Sequence, residues 1–316
     1  MSLPHGHAHH HPHSPAHDPH GHDHPLPGQG RAFGIGIVLN IGFVIIEAYY
    51  GWVTGSLALL ADAAHNLGDV GGLLLAWAAF AAARLKPSDS KTYGWRRGSI
   101  LASFVNAVVL LVAMGSLGWE AIQRVQHPAP IAAGTVMVVA AIGVLINTVT
   151  AALFMAGREK DLNIRGAFLH MAADALVSLG VVAAGALYLW QGWAWIDPLT
   201  SLVIAVVVII GTWSLFRQSL HLLFDGVPEH IKLPEVRASL QSLPGVVSVH
   251  DLHVWAMSTA EPALTAHLVI GSAHSTDRIL HEAQQMLHDL FGIEHVTLQL
   301  EAEVCAAACA DSAAEF

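Results

Sequence analysis

Charged residues are scarce in this 316-residue sequence, where Asp, Glu, Lys and Arg together make up only 12%. Cysteine is nearly absent too, because the chain has only Cys305 and Cys309, both near the C-terminus. A disulfide framework therefore has no support. The net charge of −10 and the lack of a basic stripe argue against nucleic-acid binding. No phosphate-binding loop of the Walker type is present, which argues against ATP as an energy source.

Hydrophobic residues are abundant instead, at 54% of the chain, and the mean hydropathy is +0.52. This composition lies outside the range of soluble domains and indicates a membrane protein. A helix needs about 20 mostly apolar residues to cross the hydrocarbon core. Six windows meet that length and predict an all-α bundle of six transmembrane helices: 32–52, 57–83, 99–120, 131–156, 166–190 and 195–216.

The N-terminal segment holds ten of the chain's 22 histidines in its first 24 residues. No apolar run resembling a secretory signal accompanies them. We expect residues 1–30 to form a disordered, metal-gathering tail, and a purification tag is the alternative interpretation. Residues 31–217 are the predicted membrane domain.

Basic residues concentrate in the loop between the second and third spans and in the loop between the fourth and fifth. The positive-inside rule places both loops in the cytoplasm, and six crossings then place both termini there. The basic residues of the two loops are Arg84, Lys86, Lys91, Arg96, Arg97, Arg158, Lys160 and Arg165.

After about Leu220 the composition becomes that of a soluble domain. Amphipathic and alternating segments follow in the order αββαβ, which predicts a small cytosolic α+β domain with helices on one face of a sheet. We assign residues 218–304 to it and residues 305–316 to a C-terminal tail. The two cysteines of that tail are spaced to bind metal, and an inert end is the alternative.

Two ionisable pairs interrupt the apolar spans at the same spacing. His65 with Asp69, and His170 with Asp174, are four residues apart and share one helix face. Inserting a charged side chain at the bilayer centre costs about 2.5–3.5 kcal/mol of free energy, so we expect these residues to have a function. Two imidazoles and two carboxylates in opposition would form a tetrahedral His2Asp2 site that suits Zn2+.

Other polar residues in the spans have two open interpretations, as supports of this site or as ordinary contacts between helices. Asp62 lies one turn before His65 on the same side. Hydrogen bonding between helices without any bound ion is likewise the alternative for the four candidate ligands. The remaining polar residues of this kind are Asn40, Glu47, Asn106 and Asn147.

Charge suggests how such a site would work. Two carboxylates and Zn2+ sum to zero, whereas an empty site leaves two buried negative charges that raise each other's proton affinity. Neutral histidines also accept protons near physiological pH. We hypothesise that zinc and protons compete for the same four side chains, which would couple zinc export to proton entry.

Six segments, taken together and in this order, make the chain similar to the cation diffusion facilitator family, especially its bacterial zinc-exporting branch. They are "GSLALLADAAHNLGD", "TYGWRRGSILASFVNA", "LNIRGAFLHMAADALVSLGVV", "GWAWIDPLTSL", "LLFDGVP" and "HDLHVWAM". The resemblance implies a homodimeric, six-span metal/proton antiporter in a bacterial inner membrane. It also implies a cytosolic domain with a metallochaperone (ferredoxin-like) fold.

The resemblance also implies roles for individual residues. It assigns the transport site to the two His–Asp pairs, and His65 in the first position implies a preference for zinc over cadmium. Some members have a second site after the second span. The matching residues here are Ser88, Lys91 and Trp95, so we predict that this site is absent.

In the cytosolic domain, the family binds regulatory zinc at the dimer interface. The matching residues are His250, His267, His281 and Glu301, while Gln299 replaces a further family histidine. Surface histidines at a polar dimer seam are the alternative. The family's charge interlock near the membrane surface, which holds the dimer, corresponds to Arg97 and Asp225.

Three functions compete: a zinc/proton antiporter, a membrane metal sensor and a passive channel. A sensor would need an output module, and the small acidic C-terminal domain offers none. A complete tetrahedral site binds too tightly for fast conduction through a channel. Antiport of zinc is therefore our prediction, with broader selectivity that includes Cd2+, Co2+ or Ni2+ as the alternative; an enzyme is not expected.

Overall fold

The computed structural model of the chain describes residues 29–155, 162–271 and 276–302. The histidine-rich segment up to residue 28, together with Cys305 and Cys309, lies outside the described residues. Six long helices come first, followed by two helices and three strands. The long helices are α1 Gln29–Thr54, α2 Leu57–Ala83, α3 Gly98–Gln126, α4 Ala133–Met155, α5 Leu162–Gln191 and α6 Ile196–Leu223.

The six helices agree with the six predicted spans. Among the described residues, α2 to α6 each contain a stretch long and apolar enough to cross a membrane, and α1 adds a shorter apolar stretch, Val38–Thr54. Only 11–39% of each long apolar window is buried inside the bundle. Such extensive apolar exterior requires lipid around it, so the chain is a multi-pass membrane protein.

Two helices continue by several residues past the ends of the spans predicted from the sequence. α3 continues to Gln126 and α6 to Leu223, whereas the predicted spans end at 120 and 216. Backbone hydrogen bonding continues a helix beyond the hydrocarbon layer, while hydropathy reports only the part inside that layer.

Helix α2 occupies the middle of the bundle and packs against α1, α3, α5 and α6. Alanines at the contacts, including Ala58 and Ala61 of α2 and Ala205 of α6, are at most 1% exposed and let the backbones approach closely. The central position brings the polar residues of α2 within reach of both α1 and α5.

The start of α2 is fixed by two other helices. Gly55 adopts a positive φ of 69° in the turn after α1, where its carbonyl oxygen accepts a hydrogen bond from Arg124 of α3. Ser56 caps α2, and its hydroxyl donates to Asp197 at the start of α6. The Leu57 N–H donates to the other oxygen of Asp197 at 2.8 Å. One carboxylate thus satisfies two donors at the buried N-terminus of α2.

The C-terminal domain confirms the predicted αββαβ order. Its strands form one sheet in the order β1-β2-β3, with β2 antiparallel to β1 and parallel to β3. Both helices cover one face, where Leu240, Leu264, Leu268, Ile279 and Leu287 are fully buried. The elements are α7 Leu233–Gln241, β1 Val246–Ala256, β2 Pro262–Ile270, α8 Thr276–Phe291 and β3 His295–Glu301.

The loop between α2 and α3 touches this domain. Arg96 Nη1 lies 3.5 Å from Glu261 Oε2, and the Thr259 N–H donates to Ser99 Oγ at 3.1 Å. The basic loop and the C-terminal domain therefore lie at the same end of the bundle, as the charge distribution predicts.

The residues of the predicted charge interlock also meet at this end. Arg97 Nη2 donates to Asp225 Oδ1 within a single protomer. The contribution of this pair to dimerisation stays a prediction.

We expect Asp197→Ala to destabilise the protein by about 1–3 kcal/mol, because two buried donors lose their acceptor. Denaturant-induced unfolding in detergent micelles measures the change. Asp197→Asn keeps one acceptor oxygen and should lose less. Equal stability of the wild type and Asp197→Ala would show that this carboxylate does not hold α2.

Candidate metal centres

The two His–Asp pairs meet between α2 and α5. His65 Nε2 lies 3.4 Å from Asp174 Oδ1 and 3.7 Å from Asp69 Oδ2. His170 Nε2 lies 3.2 Å from Asp69 Oδ2 and 3.7 Å from Asp174 Oδ2. Each imidazole therefore faces one carboxylate from its own helix and one from the other helix. We name these four residues the membrane centre.

Three of the four residues of the membrane centre have donor atoms close enough to share one ion, and His65 adjoins this group through Asp174 at 3.4 Å. Asp69, His170 and Asp174 each offer an atom within 4.8 Å of the other two. The Asp69 and Asp174 Oδ2 atoms are buried without a hydrogen bond of good geometry, although nitrogens of His65 and His170 lie near. Buried carboxylate oxygens without donors favour a cation or a proton at this position.

The side chains of the membrane centre differ in exposure. Asp174 is 2% exposed and His65 19%, whereas Asp69 is 33% and His170 42% exposed. Asp69 and His170 lie one helical turn nearer to the C-terminal domain than their partners. On the opposite side, buried apolar residues, among them Phe43 and Leu59, close the bundle. The centre is therefore more open toward the end that carries the C-terminal domain.

The predicted supporting residues separate into two groups. Asp62 accepts a 2.9 Å hydrogen bond from Ser178, and Glu47 accepts one from Asn66 at 3.3 Å. Among the described residues, neither carboxyl is hydrogen-bonded or ion-paired to the membrane centre. Asn40 behaves differently, since its amide donates to the sulfur of Met171, the neighbour of His170, at 3.7 Å.

The two remaining asparagines also differ. Asn147 is fully buried, and both polar atoms of its amide lack a hydrogen-bond partner. Asn106 of α3 packs against the backbone of α2, where a Cβ on Gly72 would come within 2.8 Å of its amide nitrogen. Asn106 is thus a contact between helices that depends on a glycine.

In the loop after α2, the residues that match the second metal site of some family members do not form an arrangement suited to a cation. Ser88 and Lys91 pair in a tight turn, and the Lys91 ammonium lies 3.2 Å from the centroid of the Trp95 ring. An ammonium in this place repels another cation. The absence of a second site stays a prediction.

Three of the four predicted cytosolic ligands converge on the sheet face away from the helices. His250 pairs with His267 across the antiparallel strands, and Glu301 lies two residues beyond the partner of His267 on β3. His250 Nε2 and His267 Nδ1 each lie 3.0 Å from a different oxygen of Glu301. We name these three residues the sheet centre.

The sheet centre has a donor set that fits a zinc ion. Two imidazoles and one carboxylate are borderline ligands, and each offers an atom within 4.8 Å of the others. His267 Nδ1 is buried and close to Glu301, yet it makes no hydrogen bond of good geometry. Gln299 is not a ligand in this arrangement, since its amide donates to Glu301 Oε1 at 2.7 Å and holds the carboxylate in place.

The structure does not bring His281 to the sheet centre within one protomer. His281 is exposed on α8, which covers the opposite face of the sheet. The sheet centre lies on the other face, so His281 cannot bind the same ion as the sheet centre within one chain. Its predicted role as a ligand has no support from the geometry of a single protomer.

Sequence patterns missed Asp251, which the structure places beside the sheet centre. Asp251 has a positive φ of 50° in an irregular stretch of β1 between His250 and His253. Its carboxylate lies 3.5 Å from His267 Nε2 and 3.0 Å from His253 Nε2. Strand alternation would place Asp251 on the face opposite His250, and only the bulge turns it toward His267.

Comparison with known proteins gives matches along most of the chain. Residues 34–224 match the model of the cation efflux transmembrane domain, and residues 228–303 match that of the cation efflux protein cytoplasmic domain. The metal cation efflux system protein CzcD of Cupriavidus metallidurans is 39% identical, over 92% of this chain and 91% of the relative.

Two further relatives carry more specific names. The zinc transporter ZitB of Escherichia coli is 37% identical over 87% of each chain. The cadmium, cobalt and zinc/H(+)-K(+) antiporter of Bacillus subtilis is 35% identical over 85% of this chain and 88% of the relative. A solved structure, the metal-bound C-terminal domain of CzcD from C. metallidurans, is 43% identical. It covers 22% of this chain and 99% of that domain, with a TM-score of 0.22.

Proposed function

This chain belongs to the cation diffusion facilitator family of cation efflux proteins, and we propose that it exports zinc from the cytoplasm in exchange for protons. Like its relatives, it is a transporter of metal cations and not an enzyme. We propose the identity of the transported ion, its exchange for protons, and the residues that bind zinc and protons.

The observation that carries the proposal is the alternation of imidazole and carboxylate around the membrane centre. Each carboxylate lies between two imidazoles from different helices, so one ion can contact both helices at once. Two nitrogen and two oxygen donors match the tetrahedral preference of Zn2+. Mg2+ and Ca2+ favour shells of oxygen, and this set has too few.

Charge balance supports the exchange of zinc for protons. Asp69 and Asp174 neutralise a divalent ion, and among the described residues neither is paired with Lys or Arg. When zinc leaves, the two negative charges remain in a low-dielectric setting unless protons replace the ion. His65 and His170 provide two further groups that can bind protons. The name of the Bacillus subtilis relative supports exchange with protons as well.

The exposure gradient supports loading from the cytoplasm. The centre is more open toward the end of the bundle that carries the C-terminal domain and the basic loop. The positive-inside rule assigns this end to the cytoplasm, with both chain termini there and the protein in the inner membrane. Zinc would thus enter from the cytoplasm and leave after the apolar side of the bundle has opened.

We propose a regulatory zinc at the sheet centre of a homodimer. His250, His267 and Glu301 would hold the ion, Gln299 would orient Glu301, and a zinc there would supply a rigid link between β1, β2 and β3. The name of one relative also supports a broader choice of ions, so cadmium and cobalt form a second candidate cargo.

We expect Asp174→Asn to reduce zinc transport by at least about 100-fold, because a ligand oxygen and a neutralising charge are lost together. Proteoliposomes that contain a zinc-sensitive dye measure the flux, with a proton gradient directed against zinc movement. Wild-type flux should rise with that gradient. Glu294→Gln, which changes an exposed carboxyl in the loop before β3, should transport like the wild type.

Two results would contradict the proposal for the membrane centre. Wild-type zinc flux that ignores the proton gradient in tightly sealed vesicles would exclude antiport. Normal flux through Asp174→Asn would exclude this carboxylate as a ligand. Repeating the assay with cadmium and cobalt decides between the two candidate cargoes.

We expect His267→Ala to remove the zinc bound at the sheet centre while the membrane centre still binds. Gln299→Leu should weaken binding at the sheet centre by about 10–100-fold, since Glu301 loses its orienting donor. Equilibrium dialysis of the purified full-length protein measures both. His288→Ala, an exposed histidine on α8, is the control. An unchanged zinc stoichiometry in His267→Ala would rule out the sheet centre.

A further inference from the structure

A second pair of acidic groups, Glu47 of α1 and Asp62 of α2, lies entirely inside the bundle. Both side chains are 0% exposed. Asp62 precedes His65 by one turn, and its partner Ser178 follows Asp174 by one turn. The pair is therefore displaced from the membrane centre toward the end away from the C-terminal domain.

The two carboxyl groups are held by neutral donors. Glu47 Oε2 accepts from the Asn66 amide, and Asp62 Oδ2 accepts from the Ser178 hydroxyl. Asn66 follows Asp62 by one turn on the same face of α2, so its bond to Glu47 places the two carboxyls side by side. Each carboxyl has a second oxygen that is buried without a hydrogen-bond partner. A proton on one of these oxygens supplies the donor that two ionised carboxylates lack.

Among the described residues, no Lys or Arg supplies a permanent positive charge to this pair. Glu47 Oε1 and Asp62 Oδ1 are buried and accept no hydrogen bond from an N–H or a hydroxyl. The ionisable groups that face the pair are His65 on α2 and Asp174 on α5. Helix α4, which packs against α1, has no ionisable residue within 133–155. Two neighbouring carboxyls buried in such a place cannot both ionise.

The hydrogen-bond directions favour a proton over a metal ion. Asn66 and Ser178 present hydrogens to the pair, so they add no lone pair for a cation. The pair itself contains no nitrogen or sulfur donor, unlike the membrane centre. A single proton between Glu47 and Asp62 satisfies the remaining oxygens without further ligands.

We propose that Glu47 and Asp62 share one proton and form a proton-binding site separate from the metal ligands. The role in transport rests on the proposed zinc/proton exchange. A proton that enters from the end away from the C-terminal domain meets this pair before it meets His65 or Asp174. The pair would thus hold a proton ready for the ligands when zinc departs, and accept its replacement from the outside water.

Infrared difference spectroscopy of the full-length protein in lipid tests the shared proton directly. We expect the carbonyl band of a buried carboxylic acid at neutral pH in the wild type, shifted in deuterium oxide. The band should disappear in the Glu47→Gln, Asp62→Asn double variant and persist in Glu294→Gln. Its frequency should shift in Ser178→Ala, which removes one donor and keeps both carboxyls. Absence of the band in the wild type would overturn the proposal.

Zinc flux in proteoliposomes tests the role of the pair in coupling. The readout is the ratio of zinc uptake with an opposing proton gradient to uptake without one. We expect this ratio to fall in the double variant and to stay at the wild-type value in Glu294→Gln. A coupled wild type with an equally coupled double variant would overturn the role of the pair. A wild type without coupling would overturn the exchange mechanism itself, whereas the infrared band would still report on the shared proton.

Discussion

The burial of carboxyl groups without a permanent positive partner is the constraint on which this structure depends. Glu47, Asp62, Asp69 and Asp174 lie within the six-helix bundle, and among the described residues none is paired with Lys or Arg. Charged carboxylates are costly in hydrocarbon, by about 2.5–3.5 kcal/mol each even on insertion scales. Mobile cations must therefore neutralise them, and metal ions and protons are the cations that such groups bind. In the proposed mechanism, transport follows when those cations exchange.

The rest of the bundle keeps these groups in position. Helix α2 carries Asp62, His65 and Asp69, and it packs closely against its neighbours through alanines. Its first turn is held by Asp197 of α6, while Arg124 of α3 holds the preceding turn. A helix fixed at one end and packed along its length presents His65 and Asp69 at a constant angle to α5. The proposed exchange would then need movement of helices relative to each other and little rearrangement within α2.

The C-terminal domain uses similar donors on a different scaffold. In the membrane centre, the spacing of four residues along a helix brings each pair together. In the sheet centre, cross-strand neighbours do so, and Glu301 contacts both His250 and His267. The hairpin after β1 contacts the loop between α2 and α3 through Thr259 and Glu261. These contacts connect the C-terminal domain directly to the end of the bundle where α2 ends and α3 begins.

The amino-acid sequence by itself determined the membrane class, the six helices, the αββαβ order and the two His–Asp pairs, because apolarity and helical spacing are local properties. It also indicated His267 and Glu301 through a family resemblance. Tertiary structure alone decided that Glu47 meets Asp62, that Asp251 turns toward His267 and that His281 lies on the far side of the sheet. These relations depend on helix packing, on a strand bulge and on which sheet face the helices cover. No periodicity within one segment encodes them, since each arises between segments that are distant along the chain.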